Sequence, residues 1–307
     1  MNGCIIVPLD GSRFGEHALP YALSIAKKAG VPIHLVHVHE TPVPVYSTEL
    51  AIMEGPLDPA MRARMEGYLG KLAQELRSLT TVPVKVTLHE ATAVDFLVEY
   101  ARQVDAGMIV MTTHGRGAFG RFWLGSVADR LIRNTSTPIF LVHGSKEPVD
   151  LSRQITLNRM LAPLDGSPLA EQVLKPALDL AGLFDSRCEL FRVFQEMTAP
   201  DDYPPFLLAE TFDALPREQL RKGAQQYLER VATSLRNQGK TVETAVHDNF
   251  HPADGILQEV QKSKADWIVL ATQGRKGLPR LMLGSVADKV IRGATVPVFV
   301  YHPIETK

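Results

Sequence analysis

The sequence predicts an α/β protein built from two tandem domains, each a five-stranded parallel sheet sandwiched between helices. Three observations lead to this. The chain repeats itself, with "PLDGS" at 8–12 and again at 163–167, and "LGSVAD" at 124–129 and again at 283–288. Aligned without gaps, residues 111–142 and 270–301 are identical at 14 of 32 positions. The separation from Asp10 to Gly115 is 105 residues and that from Asp165 to Gly274 is 109, so the same elements recur in the same order at nearly the same spacing. A period this long is a duplicated domain, not a solenoid. Within each copy, finally, short apolar runs alternate strictly with segments of helical periodicity.

In the first copy "CIIVPL" is an apolar run of strand length, and "FGEHALPYALSIAKKAG" follows with helical spacing and a terminal glycine. "PIHLVHVH" reads as a strand, residues 59–79 as an amphipathic helix and "PVKVTLHE" as another strand. A helix over about residues 92–105, the strand "GMIVMT", a glycine-containing loop, a helix from Ser126 and the strand "PIFLV" complete the copy. The second copy supplies the matching strands "RMLAPL", "CELFRVF", "KTVETAVH", "DWIVLA" and "PVFVY". Such alternation demands right-handed crossovers, and hence a parallel sheet covered on both faces, of Rossmann-like or flavodoxin-like type. The polar stretch "GSKEPVDLSRQIT" at 144–156 places the joint, giving domains over 1–145 and 157–307. Long connections at 40–58 and 195–216 are expected to be lids or mobile segments.

Composition removes several function classes. An apolar fraction of 45% with 22% charged residues fits a soluble globular chain with a sizeable core. The 33 basic and 34 acidic residues leave a net charge of −1, without the electrostatic footprint of a nucleic-acid binder. No apolar run is long enough to span a bilayer, and "MNGCIIVPLDGS" lacks a charged signal-peptide n-region, so the expected setting is cytoplasmic. Cys4 and Cys188, each inside an apolar run, read as small buried side chains and not as a disulfide or metal pair.

The segment "THGRGAFGRFWLGS" at 113–126 matches G-x-G-x-x-G, but the dinucleotide reading fails on three counts. The second copy has Lys276 and Pro279 where the first has Gly117 and Gly120. The loop follows the fourth strand, whereas the dinucleotide fingerprint opens the first β-α unit. The acidic residue expected about 20 positions later is missing. Both copies keep something else: Gly115, nine residues, then Gly125-Ser126; and Gly274, nine residues, then Gly284-Ser285. Arg116 and Arg275 follow the first of these glycines. A loop running from a strand's carboxyl end to a helix N-terminus offers free N–H groups and a positive dipole end, which suits phosphates.

On these residues the chain resembles the universal stress protein family. The signature of its ATP-binding branch is G-x-x-G, nine residues, then G-S or G-T, with an Asp closing the first strand. Here "TTHG-RGAFGRFWL-GS" and "ATQG-RKGLPRLML-GS" match it, except that Thr112 and Ala271 stand at the first glycine. The resemblance implies that Asp10 and Asp165 take the adenosine end of the nucleotide and that Val38 and Val193 contact adenine. It assigns ribose and phosphate to Met111, Thr112, Gly115, Gly125, Ser126 and Val127, and in the second copy to Leu270, Ala271, Gly274, Gly284, Ser285 and Val286. With the first strand central, strands one and four open a crevice at their carboxyl ends, so Asp10 and the glycine loop face one another.

Plainer roles stand beside these. Ser126 with Asp129, and Ser285 with Asp288, fit S-x-x-D and so resemble a capping box. Asp10 and Asp165 would equally anchor the "DGS" turn. His37 and His39 share one strand face, but lacking an acidic or Cys partner they read as core histidines before metal ligands. "GKT" at 239–241 is not a Walker loop, because Ser234 occupies the first glycine position and a strand follows. No paired acid and base or carboxylate-rich two-metal cluster is evident. The expected molecule is therefore an ATP-binding regulatory protein of a stress or energy-state response, taking ATP with Mg2+ or Mn2+ and lacking efficient catalysis. Pairing of "PIFLV" with "PVFVY", which the resemblance implies, gives an internal pseudo-dimer able to dimerise again. The protein partner is not legible in the sequence. A slow ATP hydrolase or phosphotransferase and a nucleotide-free scaffold are the alternatives.

Overall fold

In both copies a buried strand feeds a short capped turn and then a helix. Strand β1 (Ile5–Pro8) leads through the N-cap Ser12 into α1 (Arg13–Glu16) and α2 (Leu19–Ala29). The computed structural model describes residues 2–40, 58–113, 124–145, 147–194, 217–249, 251–272 and 283–302. The first half continues with β2 (Ile33–His39), α3 (Pro59–Leu79), β3 (Val84–Glu90), α4 (Ala93–Gln103), β4 (Met108–Thr112), α5 (Ser126–Asn134) and β5 (Ile139–Val142). The second half repeats it: β6 (Arg159–Pro163), α6 (Pro168–Glu171), α7 (Leu174–Leu183), β7 (Arg187–Phe194), α8 (Arg217–Arg236), β8 (Val242–Asp248), α9 (Pro252–Ser263), β9 (Trp267–Ala271), α10 (Ser285–Gly293) and β10 (Val298–Tyr301). The helix read over 14–30 is in fact two. Pro20 lies in the first turn of α2, where its missing N–H costs nothing, and the chain re-enters the helix there.

Residues alternate between the two faces of the sheet. Ile5 and Val7 pack with Leu19 and Leu23 of α2 and Leu69 and Leu76 of α3, while Ile6 packs with Leu97 of α4 and Leu131 of α5. Each core runs through both halves, because the two sheets are one. The strand order is β3-β2-β1-β4-β5-β10-β9-β6-β7-β8. Pairing is parallel within each half and antiparallel at the junction, where Phe299 lies opposite Phe140 and Val298 opposite Leu141. This joins the halves about a pseudo-two-fold axis and removes two of the four sheet edges. At the remaining edges, Arg77 Nη2 donates to the Val84 carbonyl at 2.6 Å and Arg236 Nε to the Val242 carbonyl at 3.0 Å. The edge strands thus begin with an acceptor already engaged.

The joint is less loose than its polarity suggests. Ile155 and Leu157 are buried at 7% and 1% exposure in the core, and Ser152 N–H and Oγ–H both donate to Asp150 Oδ1. Limited proteolysis is therefore expected to nick the exposed residues between Glu147 and Gln154 before Ile155–Leu157. An early cut on the C-terminal side of Ile155 would mean that this plug is not seated.

Candidate functional site

Asp10 and Asp165 stand at the rim where β1 and β6 end. Leu9 N–H donates to the Val36 carbonyl and Leu164 N–H to the Phe191 carbonyl, each at 2.8 Å, so the ladder extends to the residue before each Asp. Asp10 Oδ1 accepts from Ser12 N–H at 3.0 Å and Ser12 Oγ–H at 2.7 Å; Ser12 Oγ accepts from Gly15 N–H at 3.2 Å. In the second half Asp165 Oδ1 accepts from Ser167 N–H at 2.9 Å and Ser167 Oγ from Ala170 N–H at 3.1 Å. Gly11 and Gly166 have φ of +80° and +93°, which a side chain would disfavour. The turn role and a ligand role are thus compatible, since the turn fixes each carboxylate at the crevice mouth. Behind each turn, Tyr68 donates to Glu16 Oε1 at 3.0 Å and Tyr227 to Glu171 Oε1 at 2.9 Å. Sequence reasoning missed these pairs, although their recurrence in both copies was a usable signal.

Across the crevice β4 ends at Thr112 and β9 at Ala271. Thr113 N–H donates to the Val142 carbonyl at 2.9 Å, and its own carbonyl accepts Gly125 N–H at 2.7 Å. Thr272 does the same with Tyr301 at 3.0 Å and Gly284 at 2.9 Å. The glycine loop therefore leaves from one threonine and returns onto it, which places the N-termini of α5 and α10 beside the ends of β4 and β9. Thr272 Oγ1 lies 2.9 Å from His302 Nδ1, and Thr113 Oγ1 lies 3.4 Å from His143 Nδ1. Burial lowers the His302 pKa below the usual imidazole value, so at neutral pH it is a neutral partner.

The capping-box reading of the serines does not hold. The N-caps are Gly125 (φ −59°, ψ 148°) and Gly284 (φ −60°, ψ 142°), with no side-chain cap hydrogen bond. Ser126 and Ser285 are the first helical residues and are exposed. Asp129 and Asp288 turn down the helix instead: Arg133 Nη2 donates to Asp129 Oδ1 at 2.8 Å and Arg292 Nε to Asp288 Oδ1 at 2.9 Å. A cation thus offsets each first-turn carboxylate. The first intrahelical acceptor used is the Gly125 carbonyl, reached by Asp129 N–H at 2.9 Å. The N–H groups of Ser126, Val127 and Ala128 precede that bond and have no intrahelical acceptor.

Val38 and Val127 are half-buried against the same core cluster as Met111, and Val193 and Val286 against the same cluster as Leu270. Thr112 is buried at 7% exposure and Ala271 is half-buried. The structure thus brings the described residues of each predicted set to one end of the sheet; Gly115, Arg116, Gly274 and Arg275 lie outside the described residues. His37 is 4% exposed with Nδ1 2.7 Å from the Leu9 carbonyl, and His39 is 2% exposed, so both are core residues. Burial raises both cysteine thiols, Cys188 to about 12, and keeps them protonated. A groove of about 350 Å3 between α9 and the end of α10, bounded by Leu257, Val260, Gly293 and Thr295, includes none of the predicted site residues. No described helix is long and apolar enough to cross a membrane.

Fold and site together define a tandem α/β protein in which each half sets an Asp-bearing turn and a glycine-capped helix N-terminus at the ends of adjacent strands. The chain belongs to the universal stress protein family, whose profile, described as "Universal stress protein family", matches residues 1–143 and 156–302. It is 28% identical over 308 residues to a universal stress protein of Mycolicibacterium smegmatis, covering 97% of both chains. It is 34% identical over 144 residues to one from Methanocaldococcus jannaschii, covering 46% of this chain and 80% of the relative. Among solved structures, a universal stress protein from Archaeoglobus fulgidus superposes with a TM-score of 0.67 at 20% identity, over 99% of this chain and 98% of that one.

Proposed function

We propose that each half binds one adenine nucleotide, ATP ahead of NAD or FAD, and that the chain acts as a regulatory protein of a cytoplasmic stress or energy-state response. The observation that carries this is the duplicated juxtaposition of Asp10 with the N-terminus of α5, and of Asp165 with that of α10, at adjacent strand ends. The carboxylate accepts hydroxyl or amino hydrogens of the adenosine end, and the helix N–H groups with Ser126 or Ser285 Oγ–H donate to phosphate oxygens. Mg2+ or Mn2+ would accompany the triphosphate. Arg116 and Arg275, next to the loop glycines, belong to the phosphate end in this reading. The pseudo-dimer is expected to pair again as a homodimer.

Calorimetry on the full chain tests the reading: ATP should bind more tightly than NAD, and tighter NAD binding would overturn it. Because glycine supplies the cap, the double variant Ser126→Ala with Ser285→Ala should leave stability within about 0.5 kcal/mol, as for surface substitutions. ATP affinity should nevertheless fall roughly ten- to a hundred-fold, the worth of a hydrogen bond to a charged group. Undiminished affinity would remove these hydroxyls from the site. Thr112 and Ala271, in place of the first signature glycine, favour a second reading as a nucleotide-free scaffold. Mass spectrometry of ligands carried through purification separates the two, and phosphate release from ATP would reveal slow hydrolysis.

A further inference from the structure

The two crevices are not chemically equal. On β2 the residue before Val38 is His37, which turns inward onto the Leu9 carbonyl. Its counterpart before Val193 on β7 is Arg192, and this side chain reaches over the rim. A Cβ placed on Gly166 would lie 2.8 Å from Arg192 Nη1 and 3.0 Å from Nη2, so the guanidinium covers the residue that follows Asp165. It does not dangle there. The guanidinium carbon lies 4.8 Å from the centroid of the Tyr227 ring, and the Tyr227 hydroxyl is tied to Glu171. Stacking of this kind holds a guanidinium plane in place and leaves its N–H edges available. Among the described residues no carboxylate lies within ion-pair distance of Arg192.

We propose that Arg192 makes the second site selective for adenine nucleotides that carry an additional phosphate on the ribose 2′ or 3′ hydroxyl. This rests on the nucleotide reading above. A carboxylate at the adenosine end accepts hydrogen bonds from hydroxyls, but it repels a phosphate that replaces one. The matching residue of the first half, His37, turns onto the Leu9 carbonyl and presents no guanidinium beside Asp10. Asp165 has a pre-positioned guanidinium one residue away, whose fork geometry matches a phosphate bidentately. A phosphate there takes up a half-exposed cation that the described structure leaves without an acidic partner.

The test is calorimetry on the full chain with ADP, with its 3′-phosphorylated and 2′-phosphorylated derivatives, and with Arg192→Gln and Arg192→Lys variants. In the unaltered protein ADP should fill two sites, and one of the ribose-phosphorylated nucleotides should fill one site more tightly than ADP does. Arg192→Gln should weaken that nucleotide about ten- to a hundred-fold, while ADP affinity changes less than about threefold. Arg192→Lys, which keeps the charge without the fork, should fall between. The melting temperature of each free variant shows whether the fold is intact. If ADP binds and neither derivative binds more tightly, or if Arg192→Gln weakens ADP and derivative alike, the inference fails while the nucleotide reading stands. Absence of binding by all three ligands overturns both.

Discussion

Replacing Trp267 with alanine is expected to lower stability by about 3–5 kcal/mol, the cost of a large aromatic deletion in a packed core. Trp267 is fully buried, as are Phe140 and Phe299. Its ring centroid lies 6.2 Å from that of Phe140 and 6.2 Å from that of Phe299, the latter edge-on at 78°. Phe140 belongs to β5 of the first half and meets Tyr21 at 5.9 Å, whereas Trp267 and Phe299 belong to β9 and β10 of the second. The indole therefore sits in the seam between the halves. Its loss should lower amide-exchange protection in β5 as well as in β9 and β10. Urea unfolding followed by circular dichroism measures the cost, and protection lost from the second half alone would contradict a shared core. Trp267→Phe should be much milder. The indole Nε1 is buried without a hydrogen-bond partner among the described residues, and phenylalanine removes that unsatisfied donor while keeping most of the ring.

Arg159→Met should cost a similar amount, about 3–5 kcal/mol at neutral pH, by a different route. Glu189, on the central stretch of β7, has only 5% side-chain exposure, and Arg159 Nη2 meets its Oε2 at 3.0 Å while also reaching Glu243 Oε2 at 2.5 Å. Burial, only partly offset by Arg159, raises the Glu189 pKa above the usual carboxylate value. The native state therefore holds this proton more firmly than the unfolded chain. Its contribution to stability is fully present below the ordinary carboxylate pKa and is lost as pH rises through the raised native value. Without Arg159 the native pKa climbs further, so the variant's deficit should shrink on acidification towards the ordinary carboxylate range. Urea midpoints measured across that range and at neutral pH check the sign. Adding Glu189→Gln to the Arg159→Met variant should abolish most of the pH dependence; a slope that persists would place its origin elsewhere, for example at Glu259, also buried, beside His247 and Lys262.

Much of the molecule was legible because the signals involved are local and occur twice. Apolar runs such as "MIVM" and "WIVL" mark strands buried on both faces, and the stripe of Met65, Leu69, Leu72 and Leu76 marks one helix face. Duplication identified Asp10 with Asp165 and Gly125-Ser126 with Gly284-Ser285. The break before α2 was not anticipated, since helical spacing runs through Pro20 and only the first-turn position shows why the helix restarts there. The serines misled for a related reason. S-x-x-D has the composition of a capping box, but the cap is set by which residue takes extended backbone angles, and here Gly125 and Gly284 take them.

The sequence by itself determined two α/β units, their order of elements and the strand ends at which the paired motifs meet. These follow from hydrophobic period and from turn chemistry, which act over a few residues. Only the tertiary structure decided what depends on contacts between distant segments. The family resemblance implied that the last strands pair, and the structure supplies the register: β5 and β10 align antiparallel in one ten-stranded sheet, with Phe140 opposite Phe299. Glu189 is held by Arg159 and His34, at the matching place, by the Tyr100 hydroxyl at 3.0 Å, although both stand in similar apolar runs. Arg192 crosses Gly166 while His37 turns inward. Each of these is fixed by packing and register across segments well separated in the chain, and no local pattern of residues encodes a neighbour that is about 25 or more positions away.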